Sequence, residues 1–328
     1  MSKIVAAAGS SHSPVLAQEP SIMWKMRADW DKTHDELYDE SGRARSYAEL
    51  EDRAGTTYAD DVTAEMWDQR YELAQNSIDR LSADLTAQRP DLVVIIGDDQ
   101  EELFGFQNLP AISVFYGATM TMEDPDSENH GRPIPAEIQR RLGNDGATYP
   151  ADADAGRHII ESLMIQDFDV ASTNEEPDGT GFGHAYGWVL GRLLKDCVVP
   201  AVPIMLNTYF PPNQPTARRC FDLGRALRRA IESLPGDRRV AVVASGGLSH
   251  FVVDHALDRG VLEAMRTHDG EHLRNLSQEQ LKSGTSEIRN WITVAGASEH
   301  LDHQWTEYIP AVRTLGGTGI GLAFGMWA

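Results

Sequence analysis

Four short stretches of this 328-residue chain carry side chains that could hold a metal or move a proton. His12 sits in Gly9-Ser-Ser-His12-Ser-Pro14, directly behind the apolar run Lys3–Ala8. Asp98, Asp99 and Gln100 terminate a run that begins Leu92-Val-Val-Ile-Ile-Gly97. His184 lies between glycines in Gly181-Phe-Gly-His184-Ala-Tyr-Gly187, and His250 closes Gly246-Gly-Leu-Ser-His250 behind Arg239–Ser245. Each follows a strand or a strand-linked loop and is flanked by Gly or Ser. Taken singly, each has a plain structural alternative: an acidic turn that caps the next element, a hydrogen-bonding His, a helix-capping His. Taken together they are imidazoles plus carboxylate or amide groups. That set suits a divalent metal with open positions, such as non-haem Fe(II) or Zn.

The elements needed to position these groups are legible as strands alternating with helices. Leu92–Ile96 is a continuous run of mostly β-branched residues, the pattern of a parallel strand buried on both faces. From Asp61 to Gln88, Val62, Met66, Leu73, Ala74, Ile78, Leu81 and Leu85 follow a helical apolar stripe, and Pro90 ends it. Further strands are predicted at Ala111–Phe115, Phe168–Ser172, Ala201–Leu206 and Arg239–Ser245, the last clear one. Helices are predicted at Ala151–Gln166, at Thr216–Leu234 with a solvated Arg face, and across the polar stretch from Val252 to Leu281. The tail from Tyr308 to Ala328 is rich in Gly and aromatics, and is expected to pack on the sheet or on a second subunit. His130 falls in a polar loop between Met122 and Pro135 and is expected to face solvent. This order predicts an α/β fold: one layered αβα domain over 1–328 with a central, mostly parallel sheet. Parallel strands present their carboxyl ends on one edge, so the four polar sites are expected to meet in one cleft there. Residues Glu19 to Ala59, polar and rich in Trp, Tyr and Asp, read as a helical insertion that covers a site or an oligomer interface.

The bulk composition narrows the possible functions. A formal net charge of −21 disfavours nucleic-acid binding. It also means that an anionic substrate needs local positive charge. No apolar run reaches the length of a membrane span, and the N-terminus reads as a first strand rather than a signal peptide. Cys197 and Cys220 show no CxxC spacing, so a disulfide framework is not expected and a cytoplasmic location is. Neither a dinucleotide fingerprint nor a Walker loop occurs, and there is no Gly-x-Ser-x-Gly elbow.

From Ser10 to about Met326 the chain resembles the class III extradiol ring-cleavage dioxygenases, the family of protocatechuate 4,5-dioxygenase and of gallate and 3-O-methylgallate dioxygenases. Ser10-Ser-His12-Ser-Pro is similar to the family's first iron-ligand motif. Gly183-His184 and Gly246-Gly-Leu-Ser-His250 resemble the segments carrying its active-site histidines. Ala295-Gly-Ala-Ser-Glu299 resembles the segment carrying its carboxylate ligand. The family's second iron-ligand His is missing: in Gly97-Asp-Asp-Gln100 its place falls on Gln100, or on Asp99 if the comparison shifts by one, with Asp98 supporting the turn. The resemblance implies a metal held by His12, Gln100 (with Asp99 as rival) and Glu299. His184 and His250 become the catalytic groups, and Arg289 the candidate cation for an acidic substituent, with a structural ion pair as its alternative. It implies Fe(II), ahead of Mn or Zn, and O2-dependent extradiol cleavage of a catecholic aromatic acid. A metal-dependent hydrolase or lyase on the same scaffold, or a catalytically silent partner subunit, stands behind that expectation. The Glu19–Ala59 segment and the aromatic tail offer apolar surface beyond the core pattern, so a homo-oligomer is expected.

Overall fold

The computed structural model describes residues 1–127 and 134–328. His130 lies outside the described residues. The main sheet contains nine strands: β1 (Lys3–Ser10), β2 (Leu92–Asp98), β3 (Ile112–Phe115), β6 (Ala171–Thr173), β7 (Ala201–Leu206), β8 (Arg239–Ser245), β9 (His250–Val252), β10 (His303–Val312) and β11 (Thr318–Trp327). A separate small hairpin pairs β4 (Thr119–Thr121) with β5 (Thr148–Pro150). The order along the main sheet is β10-β11-β1-β8-β2-β7-β3-β6, with β9 also on β11. The centre, β1-β8-β2-β7, is parallel throughout. On one side β11 and β10 are antiparallel additions, and on the other β3 runs antiparallel to β7.

The apolar run at Leu92 explains why the centre is parallel. All seven residues of β2 are buried, and successive side chains go to opposite faces. Leu92, Val94 and Ile96 enter one hydrophobic layer, with helices Ala217–Glu232 and Ile288–Ala297. Val93 and Ile95 enter the other, with helix Ala64–Ala87. Each such Val or Ile contributes ~1.5–3 kcal/mol when fully buried. A strand with no polar face must therefore be covered by helices on both sides.

Helix Ile288–Ala297 seats closely against β1. Gly9 allows this, since a Cβ there would lie 2.1 Å from Trp291 Cζ3. Trp291 Nε1 in turn donates to the Gly246 carbonyl at 2.8 Å, tying this helix to the end of β8.

Two expectations need correction. Arg239–Ser245 is not the last strand, because β10 and β11 form a long antiparallel pair. β11 is buried along its whole length, and its Gly positions hide the alternation expected of a strand. The stretch from Val252 to Leu281 is not one helix. His255–Thr267 stops at His268, which takes a left-handed conformation at φ 56°, and a short helix Gly270–Arg274 follows.

Candidate active site and metal centre

The carboxyl ends of β1, β8 and β2 lie side by side, and the residues just beyond them form the site. His12 follows β1, Asp98 ends β2, and His250 begins β9 after the β8 turn. His184 opens the short helix His184–Trp188 and its ring packs edge-on to His12 at 4.5 Å. These four line or adjoin one edge of the parallel sheet, the position where open α/β sheets bind ligands. His12, His184 and His250 face a cavity of about 550 Å³, together with Gln100 and Glu287.

Three side chains offer ligand atoms that converge: His12, Asp98 and Glu287, all buried, with one donor atom from each lying within 4.8 Å of the others. His12 Nδ1 sits 2.8 Å from Ser245 Oγ. If Nδ1 carries the proton and donates to Ser245, the Nε2 lone pair faces the trio, the arrangement a metal-binding imidazole needs. Nε2 is buried, has no hydrogen-bond partner among the described residues, and lies 3.8 Å from Glu287 Oε2. Glu287 Oε2 accepts from the Gly247 amide at 2.6 Å.

The electrostatics also favour a cation. Burial raises the Glu287 carboxyl well above the ordinary range; nearby Asp98 adds to the shift and the Gly247 amide opposes it. Burial likewise holds His12 well below its ordinary value, reinforced by His184 and His250, so its imidazole is neutral. A neutral imidazole beside two buried carboxylates is short of positive charge. A divalent ion would supply it and pull the Glu287 carboxyl back to its ionised form. One nitrogen and two carboxylate oxygens make a harder donor set than two imidazoles and one carboxylate. These residues fit a divalent metal.

Gln100 lines the same cavity as His12 and Glu287, and its Nε2 donates to Asp98 Oδ2 at 2.6 Å and so orients that carboxylate. Asp99 turns back into its own loop, accepting from the Leu103 and Phe104 amides at 2.8 and 3.1 Å. Burial and the neighbouring Glu102 push it up to about 8. The roles expected of Asp98 and Asp99 are thus exchanged: Asp98 faces the site and Asp99 supports the turn.

Glu299 is outside the site. It follows helix Ile288–Ala297 and makes a two-pronged ion pair with Arg225 at 2.6 and 2.7 Å. Glu287 precedes the same helix, and about 15 Å of helix separates the two ends. Arg289 does not reach the cavity either. It is fully buried, and it donates to the carbonyls of Pro215, Thr208 and Leu281. It stitches loops together, with its donors spent on those carbonyls.

Glu287 is not among the candidates that the sequence motifs single out. The available signal was a lone Glu in Ser283-Gly-Thr-Ser-Glu287, small residues leading into an apolar helix. Such a carboxylate has little reason to be buried unless something there binds it.

His250 Nδ1 lies 2.8 Å from the Leu248 carbonyl, to which only a protonated Nδ1 can donate. That leaves Nε2 as the acceptor, 4.0 Å from Glu287 Oε2. Burial lowers His250 to about 4. His184 Nδ1 lies 3.8 Å from Glu102 Oε1. The cavity is roofed by the segment expected to be an insertion, through Arg27, Trp30 and His34.

Comparison with known proteins gives this site its family context. A gallate dioxygenase from Pseudomonas putida is 43% identical over 99 residues, 29% of this chain and 28% of that protein. A 2,3-dihydroxyphenylpropionate/2,3-dihydroxicinnamic acid 1,2-dioxygenase from Cupriavidus necator is 29% identical over 161 residues, 49% of this chain and 44% of that one. The matched stretches therefore span less than half the length of these curated relatives. A solved structure of an uncharacterized protein from Escherichia coli K12 superposes with a TM-score of 0.48 at 16% identity, covering 77% of this chain and 92% of that one. Among the described residues, no helix is long and apolar enough to cross a membrane. The family described as the catalytic LigB subunit of aromatic ring-opening dioxygenase matches residues 57–322, most of the chain, and the protein belongs to that family.

Proposed function

We propose that the protein is an O2-dependent extradiol dioxygenase that opens the ring of a catecholic aromatic acid, with Fe(II) held by His12, Asp98 and Glu287. The observation that carries this reading is the convergence of those three side chains in a cavity that His184 and His250 also line, in a chain of this family. The whole chain, 1–328, acts in this reading as one domain into which residues 19–59 are inserted.

Bound Fe(II) would supply the Lewis-acid and redox chemistry that lets a catechol and O2 react. The chain's own residues do the rest. His12 is fixed by Ser245, and Asp98 by Gln100, so both are held in place before anything binds. His250 accepts a catechol proton at Nε2 and returns it later in the reaction, its ring held by the bond to Leu248. His184, edge-on to His12, hydrogen-bonds an oxygen atom of a reactant. Trp30, His34 and Phe251 form an aromatic wall, with His34 and Phe251 at 4.1 Å and Trp30 and His34 at 4.3 Å. That wall suits a flat ring.

The test is oxygen uptake by anaerobically iron-loaded protein with a panel of gallate-type and protocatechuate-type catechols. The expected outcome is O2 consumption with a yellow ring-opened product. Silence across the panel at full iron occupancy sinks the reading. Turnover of a substrate without O2 would move the protein to the hydrolase or lyase alternative. His250→Ala is expected to keep the metal and to lower turnover by ~10²–10⁴, the usual loss of an acid–base group.

A further inference from the structure

The cavity contains a cation for which the scheme above has no use. Arg27 projects from helix Pro20–Asp31 into the pocket that His12, His184 and His250 line. Its guanidinium lies over the Trp30 ring at 4.1 Å. Its Nε is buried and has no hydrogen-bond partner among the described residues.

The obvious counter-ion is already taken. Asp31, four residues on, receives Arg313 at 3.0 and 3.1 Å and the Thr318 hydroxyl at 2.8 Å. Arg313 therefore adds a second positive charge near Arg27 instead of relieving the first. Among the acidic residues at the cavity, Glu36 is bound to Tyr209 and Ser283, and Glu287 belongs to the metal trio. Asp35 also lines the cavity, and no bond joins it to Arg27 among the described residues.

A buried guanidinium donor left unsatisfied costs ~1–3 kcal/mol or more, so a chain that keeps one is expected to use it. Among the described residues lining the cavity, Arg27 is the one Lys or Arg. The chain as a whole carries −21, so an anion gains nothing from the overall field and needs local positive charge. Arg27 stays cationic at neutral pH even so: burial and Arg313 lower it only to about 10. It borders the aromatic wall of Trp30, His34 and Phe251. The same cavity is lined by His12 and Glu287, so an aromatic acid bound in it would meet the guanidinium, whose fork matches a carboxylate.

We propose that Arg27 is the specificity-determining residue of this site and binds the carboxylate of an aromatic acid. This assignment deepens the dioxygenase reading and rests on it for the position of the ring.

The test compares 3,4-dihydroxybenzoate with 4-methylcatechol, a similar ring without the acid. Anaerobic calorimetric titration of iron-loaded protein measures binding, and oxygen uptake measures KM and kcat. Wild type is expected to bind the acid at least ten-fold more tightly than 4-methylcatechol. Arg27→Gln should weaken the acid ten- to hundred-fold, raise its KM with kcat changed far less, and leave 4-methylcatechol within about two-fold. Arg27→Lys, which keeps the charge but loses the fork, should recover part of the loss. A structural role would weaken both ligands alike in Arg27→Gln, and that outcome overturns the proposal. So does a wild type that binds the acid no better than 4-methylcatechol. If wild type binds the acid selectively, Arg27→Gln loses that selectivity and O2 is never consumed, the dioxygenase reading fails and the assignment of Arg27 stands.

Discussion

Two glutamates at opposite ends of one helix separate a resemblance by motif from a site by geometry. Glu287 is buried and faces His12, whereas Glu299 is held by Arg225 near the surface. Replacing each with Gln gives opposite expectations. Glu287→Gln should weaken divalent metal binding by more than the ten- to hundred-fold loss typical of an outer-sphere partner, as read by metal analysis after equilibrium dialysis. Glu299→Gln should leave metal content unchanged and cost no more than ~1 kcal/mol, because its ion pair is partly exposed. Equal metal loss in both variants would mean that Glu287 is not a ligand. That the three histidines line one cavity was readable in the sequence because each follows a strand or strand-linked loop, and parallel strands bring their carboxyl ends to one edge. The carboxylates were not. In Asp98-Asp99-Gln100 the choice depends on which side chain the turn consumes. The Leu103 and Phe104 amides consume Asp99, and no sequence spacing reveals that.

At the scale of elements, helix His255–Thr267 ties the β8 turn to β10 through one buried carboxyl. Asp258 accepts from the Ser249 amide at 2.8 Å, the Ser249 hydroxyl at 2.7 Å and the Tyr308 hydroxyl at 2.8 Å. Burial nonetheless pushes it up from 3.8 to about 7, with those bonds opposing the shift and Asp254 adding to it. A carboxyl raised in this way holds its proton more tightly in the folded chain than in the unfolded one. Its contribution to stability is therefore complete below about pH 3.8 and declines as pH rises toward about 7. The decline is on the order of 4 kcal/mol. Urea midpoints of wild type and Asp258→Asn across that window should show it: the difference between the two curves should slope with pH, because Asn cannot titrate. Parallel curves would remove Asp258 as the cause. Most elements were legible here, since β2, β7 and β8 declare themselves by unbroken apolar runs. β10 and β11 did not, because a strand buried beside another subunit or beside its own sheet has the same composition.

At the scale of the whole molecule, the first sixty residues and the last twenty-five are joined by one buried ion pair. Asp31 closes the helix that carries Arg27, and Arg313 follows β10 directly; both are buried. Their two-pronged contact, with Thr318 on the same carboxylate, anchors the roof of the cavity to the C-terminal hairpin. Replacing such a pair with apolar groups can be neutral, but removing one partner leaves a charge buried and uncompensated. Asp31→Asn would strand two neighbouring guanidiniums, Arg313 and Arg27, at the same place. It is expected to cost ~3–5 kcal/mol of stability. It should also loosen the roof, so that proteolysis under native conditions cuts within residues 19–59 before it reaches the sheet. The metal trio lies on the sheet edge and not on this segment, so metal binding by the folded fraction should persist. Limited proteolysis with mass mapping, alongside metal analysis, separates the two effects. Uniform cleavage throughout the chain, or metal lost in step with the roof, would show that the segment is part of the core and does not cover an otherwise complete site.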